Sequence, residues 1–188
     1  MRRESSRKKR PEHMFPAPLG ILFDRKEKEE TGLKRSPWIP YLASLLAAFA
    51  AGGLGAFATS TGMEAYKLLQ KPPGTPPSLV FPIVWSLLYI LMGGGAGRVW
   101  NTGDQRRGRA LSFYVMQLLL NSLWSILFFG LQARFLALVC LIVLWILIFA
   151  MARWFHAIDP IAGKLQIPYL LWVAYAGYLN IGILVLNP

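Results

Sequence analysis

Five long apolar runs dominate this chain of 188 residues and restrict what it can fold into. Each run is about 20 residues long, which is enough for a helix to cross the hydrocarbon core of a bilayer. We therefore predict an all-α integral membrane protein, a bundle of five transmembrane helices. The predicted spans are approximately Trp38–Thr59, Leu79–Trp100, Ala110–Gly130, Phe135–Phe155 and Leu165–Leu186.

The charged residues are concentrated before the first apolar run. Residues 1–37 hold 11 of the 20 Lys and Arg and 6 of the 9 Asp and Glu. A nucleic-acid binder would need a basic face on a folded element, so the net charge of +11 fits anionic lipid headgroups better, and no nucleic acid is expected as a partner. We predict a basic, disordered cytosolic tail over residues 1–36 and a transmembrane domain over residues 37–188.

The charge of the loops predicts the orientation of the bundle. Seventeen Lys and Arg fall on the side of the tail and three on the other side. In membrane proteins, the side whose loops carry more Lys and Arg faces the cytoplasm. We expect a cytoplasmic N-terminus, an external C-terminus and an external lid loop over residues 60–78, which contains a short helical segment, Met63–Gln70, before the prolines stop it.

Signatures of conventional catalysis are missing. His13 lies in the tail, His156 stands alone at a helix end, and no cluster of Cys, His, Asp and Glu has the spacing of a metal site. We expect no metal and no required cofactor, and the sequence leaves enzymatic activity open. Gly93 and Gly97, within the second run, predict close helix packing or a dimer contact rather than a phosphate loop.

Polar and aromatic side chains recur on three helix faces. An amide group in lipid is costly without a partner, so such residues tend to face the bundle interior or a cavity. If the faces converge, they would enclose a flat hydrophobic ligand with polar edges. Interhelical hydrogen bonding and interfacial anchoring remain open alternatives for the same residues. The faces are Trp85 and Tyr89; Gln117, Asn121, Trp124 and Phe128; and Tyr169, Trp172, Ala176 and Asn180.

The other tryptophans are assigned away from this pocket. Trp38, Trp100 and Trp154 lie at segment ends, which is typical of the aromatic belt at the membrane interface. Trp145 lies in the middle of a run without a polar companion, so we assign it to packing or lipid contact.

A series of motifs runs from about Trp38 to Asn187 and includes these faces. It comprises Tyr66-x-x-Leu69-x-Lys71-Pro72, Phe81-Pro82-x-x-Trp85-x-x-x-Tyr89, Phe113-Tyr114-x-x-Gln117-Leu118-x-x-Asn121-x-x-Trp124, Phe128-Phe129-Gly130 and Pro168-Tyr169-x-x-Trp172. In these residues and their order, the chain resembles bacterial-type members of the translocator protein family, also called the tryptophan-rich sensory protein or peripheral benzodiazepine receptor family.

The resemblance implies a homodimeric five-helix bundle. It also implies a pocket for porphyrins and for benzodiazepine- or isoquinoline-carboxamide-type ligands, closed by the first loop. It places Tyr66 in that loop and Ala176 at a small position that shapes the pocket. Trp85 and Trp172 match the two tryptophans linked in bacterial members to oxidative breakdown of protoporphyrin IX.

The chain departs from the family pattern in the first loop and near its C-terminus. Gly74 and Leu79 stand where many members have Trp, so fewer indoles are available to stack on a porphyrin, which predicts weaker or altered closure over the ligand. No basic residue follows Tyr178, so the cholesterol motif of animal members is unsupported.

These observations lead to one functional hypothesis with two alternatives. We hypothesise a membrane receptor or sensor for protoporphyrin IX and haem-related tetrapyrroles, with tryptophan-assisted, light-dependent porphyrin degradation as a further activity. A transporter of porphyrins or other lipophilic small molecules is the alternative, and a stress-regulatory scaffold is a third reading. The expected partners are a flat hydrophobic molecule, the lipid bilayer and a second copy of the chain, in the bacterial cytoplasmic membrane.

Overall fold

A computed structural model describes residues 36–188 of the chain. Five of its helices are long and apolar enough to cross a membrane, and no strand occurs within the described residues. The predicted all-α five-helix integral membrane protein is confirmed. The helices are α1 (Ile39–Lys67), α2 (Val80–Asn101), α3 (Arg107–Ser125), α4 (Arg134–Ile158), a short α5 (Pro160–Lys164) and α6 (Ile167–Leu186). The predicted tail, up to residue 35, lies outside the described residues and stays a prediction.

The first loop is shorter than predicted, because α1 continues to Lys67. The hydroxyls of Thr59 and Thr61 donate to the carbonyls of Gly55 and Ala58 at 2.8 and 2.7 Å, so these polar side chains are satisfied within the helix. The predicted loop over residues 60–78 is therefore wrong for residues 60–62, and the short helical segment predicted within it, Met63–Gln70, is helical only as far as Lys67, as the end of α1. Tyr66 lies on the last turn of α1, and the lid loop comprises residues 68–79.

Glycines allow α1 to lie close against α2. A Cβ atom on Gly93 would lie 2.9 Å from the Cα of Leu45, and one on Gly97 would lie 2.8 Å from the Cα of Tyr41. Contacts this short exclude any side chain at either position. Of the two predictions for Gly93 and Gly97, close helix packing is confirmed, and it occurs within one subunit. Because α1 covers Gly93 and Gly97, these glycines are not available for a dimer contact.

A π-helical turn, Ile126–Gly130, ends the third membrane span. The wider turn changes the direction in which successive side chains point. It places the ring centroids of Phe128 and Phe129 4.8 Å apart, and Phe128 is buried. Gly62 of α1 packs on the backbone carbonyl of Phe129, which leaves no room for an added Cβ. The end of α1 is thereby held against the end of the third span.

Ionic contacts connect the helix ends at the opposite end of the bundle from the lid loop. Arg98 at the end of α2 contacts Asp159, with 2.8 Å between Nη2 and Oδ2. Asp159 also caps α5, because its Oδ1 accepts hydrogen bonds from the N–H groups of Ile161 and Ala162. The predicted Asp159–Pro160 turn is thus the start of a short helix.

Two carboxyl groups at this end have lowered pKa values. For Asp159, burial favours the neutral form, but the hydrogen bonds from Ala162, Arg98 and Ile161 outweigh it and leave the pKa below the usual value. Hydrogen bonds from the side chain and backbone of Arg106 lower the pKa of Asp104 to about 2. Both groups are therefore ionised at neutral pH.

Candidate functional site

The predicted face of α3 points into the bundle. Gln117, Asn121, Trp124 and Phe128 are all buried, with exposures of 0, 3, 8 and 7%. Their spacing of three or four residues keeps them on one side of the helix. The opposite side carries exposed apolar residues such as Leu119, which suits contact with lipid.

Gln117 and Asn121 connect α3 to its neighbours through hydrogen bonds. The hydroxyl of Tyr169, on α6, donates to Oε1 of Gln117 at 2.9 Å. Nδ2 of Asn121 donates to the hydroxyl oxygen of Tyr89, on α2, at 3.4 Å. For these four residues the structure shows interhelical hydrogen bonding, which was one of the alternatives, and ligand contact stays a prediction.

The two tryptophans assigned to porphyrin oxidation lie on different helices among aromatic partners. Trp85 stacks on Tyr89, with ring centroids 5.6 Å apart, and meets the ring of Tyr169 edge-on at 6.1 Å. Trp172 meets Phe81, at the start of α2, edge-on at 5.9 Å. Both indoles are half-buried. They are therefore protected from full solvation yet are not sealed within the core.

An aromatic cavity lies where the end of α1, the start of α2, the third span and α6 meet. Its volume is about 30 Å³, which is room for one or two waters and far less than a tetrapyrrole needs. Rings that line the cavity would have to move apart to admit a large ligand. Its lining residues are Tyr66, Phe81, Trp124, Phe128, Phe129, Ala176, Leu179 and Ile183.

Three of the predicted ligand residues, Tyr66, Trp124 and Ala176, line this cavity. Trp172 does not line the cavity but contacts Phe81, which does. Gln117 and Tyr169 do not line it either, and they are hydrogen-bonded to each other. Sequence reasoning did not assign Phe81 or Phe129 to the site. Both stand in motifs quoted above, but the π-helical turn that aims Phe129 at Tyr66, with ring centroids 5.4 Å apart, leaves no clear sequence signal.

Several buried polar atoms near the cavity have no partner among the described residues. They are Oδ1 of Asn121, Nε1 of Trp124, and both Nδ2 and Oδ1 of Asn180. Asn180 is only 1% exposed. A buried amide without partners costs about 1–3 kcal/mol. These atoms offer donors and acceptors to a polar group placed between α3 and α6.

The lid loop is fastened to α6 by side chains that the sequence did not single out for this role. The hydroxyls of Tyr175 and Tyr178 donate to the carbonyls of Gly74 and Pro73 at 2.6 and 2.9 Å. The Asn187 amide exchanges two hydrogen bonds with the backbone of Gln70, each 3.0 Å long. Tyr178 was considered only as part of a cholesterol motif, whereas in the structure it holds the loop.

Gly74, where many family members have Trp, has a positive φ of 81°. Glycine adopts this backbone conformation without strain, whereas a residue with a Cβ does so rarely. The departure from the family pattern therefore coincides with a turn that favours glycine.

Trp145 packs against α6, in agreement with its assignment to packing, and it also has a polar partner that was not predicted. Its Nε1 donates to the carbonyl of Leu170 at 3.1 Å, and its ring stacks on Phe149. Trp38, assigned to the interfacial belt, is 59% exposed.

No group of three or more His, Cys, Asp or Glu residues that would hold a metal ion occurs in the part of the chain that the structure describes. Asp104 and Asp159 lie at the opposite end of the bundle from the aromatic cavity, and Glu64, near the end of α1, is exposed and pairs with Lys67. The cavity walls are thus aromatic and aliphatic, with amide and indole groups as their polar component.

Comparison with known proteins identifies the family. The model of the TspO/MBR family matches residues 43–186. The tryptophan-rich sensory protein of Cereibacter sphaeroides is 38% identical over 80% of this chain and 92% of its own length. The translocator protein of Bos taurus is 37% identical over 77% of this chain and 88% of its own length. The tryptophan-rich protein TspO of Chlorobaculum tepidum is 40% identical over 65% of this chain and 79% of its own length. With the five membrane-spanning helices, these matches show that the chain is an integral membrane protein and belongs to the TspO/MBR family.

Proposed function

We propose that the protein is a membrane receptor or sensor that binds porphyrins, such as protoporphyrin IX, and flat benzodiazepine- or isoquinoline-carboxamide-type molecules. The observation that carries the proposal is the aromatic cavity between α1, α2, the third span and α6, with unpartnered polar atoms beside it. Stacking on Trp and Tyr rings favours flat ligands, and the unpartnered amide and indole groups suit polar edges.

Ligand entry requires movement, because a cavity of about 30 Å³ cannot hold a macrocycle. The lid loop is the element best placed to move. It is held to α6 mainly by four side-chain hydrogen bonds, and most of its residues are exposed. Segments with few buried apolar contacts open at low free-energy cost. Release of the loop would allow Tyr66 and Phe81 to separate.

A binding titration tests the proposal. Protoporphyrin IX added to the purified protein in lipid nanodiscs should quench tryptophan fluorescence saturably and shift the porphyrin absorption band. Ala176→Leu should weaken this binding, because the added methyl groups occupy the cavity that Ala176 lines. Ala174 lies on the exposed side of α6, so Ala174→Leu is the control. Gly177→Leu would not be suitable, because the new side chain would meet Leu141. Equal affinity in the parent, Ala176→Leu and Ala174→Leu proteins would place the ligand elsewhere.

We further propose light- and oxygen-dependent oxidation of bound porphyrin, with dioxygen as the oxidant and with Trp85 and Trp172 assisting. The indole ring is oxidised more readily than a phenyl ring, and both indoles lie among aromatic partners, Trp172 against the cavity-lining Phe81 and Trp85 against Tyr89. Trp85→Phe and Trp172→Phe keep a flat apolar wall, so each should lose about 1 kcal/mol of affinity or less and far more of the illuminated turnover.

Trp38→Phe is the control for these two variants, because Trp38 is exposed and lies at the opposite end of α1 from Tyr66. Trp145→Phe is less suitable, since it would remove the hydrogen bond to Leu170. Parental turnover in both pocket variants would contradict the assignment. If illumination leaves porphyrin intact while liposomes show porphyrin flux, the transporter alternative is favoured.

Placement in the bacterial cytoplasmic membrane, with a cytoplasmic N-terminus and an external C-terminus, is likewise a proposal, as is a homodimer. The bias of 17 against 3 basic residues supports the orientation. A reporter fused after Pro188 should be active only in its extracytoplasmic form. Activity of a cytoplasmic reporter at that position would reverse the orientation.

A further inference from the structure

Two basic side chains flank Tyr66 at the lid end of the bundle. The Nζ atom of Lys71, in the lid loop, lies 5.0 Å from the centre of the Tyr66 ring. Arg134, the first residue of α4, lines a second, smaller cavity together with Tyr66. The two cations lie on different elements, Lys71 in the lid loop over the Tyr66 ring and Arg134 on α4 in the wall of the cavity that Tyr66 also lines.

Neither cation has a carboxylate partner within residues 36–188. The acidic residues in this range are Glu64, Asp104 and Asp159. Glu64 pairs with Lys67 at 2.6 Å, and the two aspartates lie at the opposite end of the bundle, where each pairs with an arginine. The lid end therefore carries two positive charges that no described side chain neutralises.

The smaller cavity adjoins the aromatic cavity. Both are lined by Tyr66, Phe128 and Phe129. A ring system seated among these aromatics would therefore extend its outer edge towards Arg134 and Lys71. The rest of the cavity offers no cation, and an uncompensated carboxylate within a membrane bundle is costly.

Carboxylate is the anion that this arrangement suits. The guanidinium group of Arg134 can donate two parallel hydrogen bonds to one carboxylate, and the ammonium group of Lys71 can bind a second as a point charge. Arg134 is half-buried, which lessens screening by water, whereas Lys71 is exposed.

We propose that Arg134 and Lys71 form a carboxylate-docking site at the lid end of the aromatic cavity, specific for flat ring ligands with acidic side arms, such as a tetrapyrrole with two propionates. This inference rests on the proposed function, since it assumes that the ring system binds in the aromatic cavity. It assigns the orientation of the ligand, with its acidic edge at the lid.

A matched pair of ligands tests the docking site. Protoporphyrin IX and its dimethyl ester share one macrocycle and differ in their two negative charges. Affinity for each is measured by tryptophan quenching in phosphatidylcholine nanodiscs, which keep net-anionic lipid headgroups out of the assay. The parent protein should bind the free acid roughly 3- to 30-fold more tightly than the ester.

Substitution of the two cations should abolish this preference. In Arg134→Gln/Lys71→Gln, the affinity for the free acid should fall to that for the ester, while the affinity for the ester stays within about twofold. Raised salt should weaken binding of the free acid in the parent and have little effect in the variant. Lys164→Gln, which removes a cation at the other end of the bundle, should leave the preference intact.

The outcomes separate this inference from the proposed function. If the parent binds neither ligand, the pocket and the docking site both fail. If the parent binds both ligands equally, or the double variant keeps the preference for the acid, the docking site is overturned while the pocket stands. A loss of ester binding in the double variant would mean that the cations support the fold and not the carboxylate.

Discussion

Asn187→Ala should loosen the lid loop. The Asn187 side chain accepts a hydrogen bond from the Gln70 N–H and donates one to the Gln70 carbonyl, each at 3.0 Å. These bonds join the first residues of the lid loop to the C-terminal end of α6. Their removal frees one anchor of the loop without touching the rings that line the aromatic cavity.

The expected size of the effect follows from the exposure of these bonds. A hydrogen bond of this kind contributes about 0.5–1 kcal/mol net where water can replace it. Two such bonds give about 1–2 kcal/mol, so the open population of the loop should rise by roughly 5- to 30-fold. Asn187 also donates to the carbonyl of Ile183 within its own helix, which adds a local contribution at the end of α6.

Hydrogen exchange measured by mass spectrometry follows this opening directly. Peptides that cover residues 68–79 should exchange faster in Asn187→Ala by about the same factor, and protoporphyrin IX should dissociate faster. Tyr178→Phe, which removes one bond to the carbonyl of Pro73, should give a smaller change in the same direction. Tyr41→Phe, at the other end of α1, should change neither.

Unchanged exchange in the loop of both Asn187→Ala and Tyr178→Phe would refute the reasoning. It would mean that apolar contacts hold the loop, such as that of Pro72 with Gly182. Faster exchange with unchanged porphyrin dissociation would instead show that ligands leave by a route that does not involve the lid.

Two further predictions concern stability. Gly62→Ala should lower the melting temperature in detergent, because the new Cβ would clash with the backbone carbonyl of Phe129 in the π-helical turn, which costs about 1–3 kcal/mol. Gly53→Ala is the control and should be neutral or slightly stabilising, because the space around Gly53 is open. Equal effects of the two substitutions would contradict the packing argument. Asp159→Asn keeps a cap for α5 but removes the charge that pairs with Arg98, so it should cost about 1 kcal/mol at neutral pH. Because the folded pKa of Asp159 is lowered, its contribution is full above the unfolded value of about 3.9 and is lost as the pH falls through the folded value. The melting temperatures of the parent and of Asp159→Asn are measured from pH 7 down to pH 3, and the difference between them should shrink only below about pH 4. A difference that stays constant would contradict the lowered pKa of Asp159.

The bundle was predictable because lipid imposes a simple rule on sequence. Every backbone polar group in the membrane needs an internal partner, so five apolar runs become five helices whatever their detailed packing. The polar faces were predictable for a related reason. Gln117, Asn121 and Tyr169 avoid lipid, and helical spacing alone placed them on inward faces that the structure confirms as buried.

The helix ends were less predictable, because local hydrogen bonds decide them. Thr61 was predicted to lie in the loop, yet inside α1 its hydroxyl bonds back to the preceding turn. The partner of Trp145 was likewise invisible, since a carbonyl on a helix 25 residues away accepts its N–H. Neither outcome is encoded in hydropathy or in spacing.

The sequence by itself determined the class of the molecule, its five spans, its inward polar faces and its family motifs, because these depend on transfer free energy and helical periodicity. Only the tertiary structure decided the volume of the aromatic cavity, the fastening of the lid loop to α6, and the placement of Lys71 and Arg134 at the same end of the bundle as Tyr66. These features join residues that lie far apart in the chain. Their positions follow from how closely glycines let the helices approach and how the π-helical turn redirects two rings, and both are properties of packing rather than of any local segment.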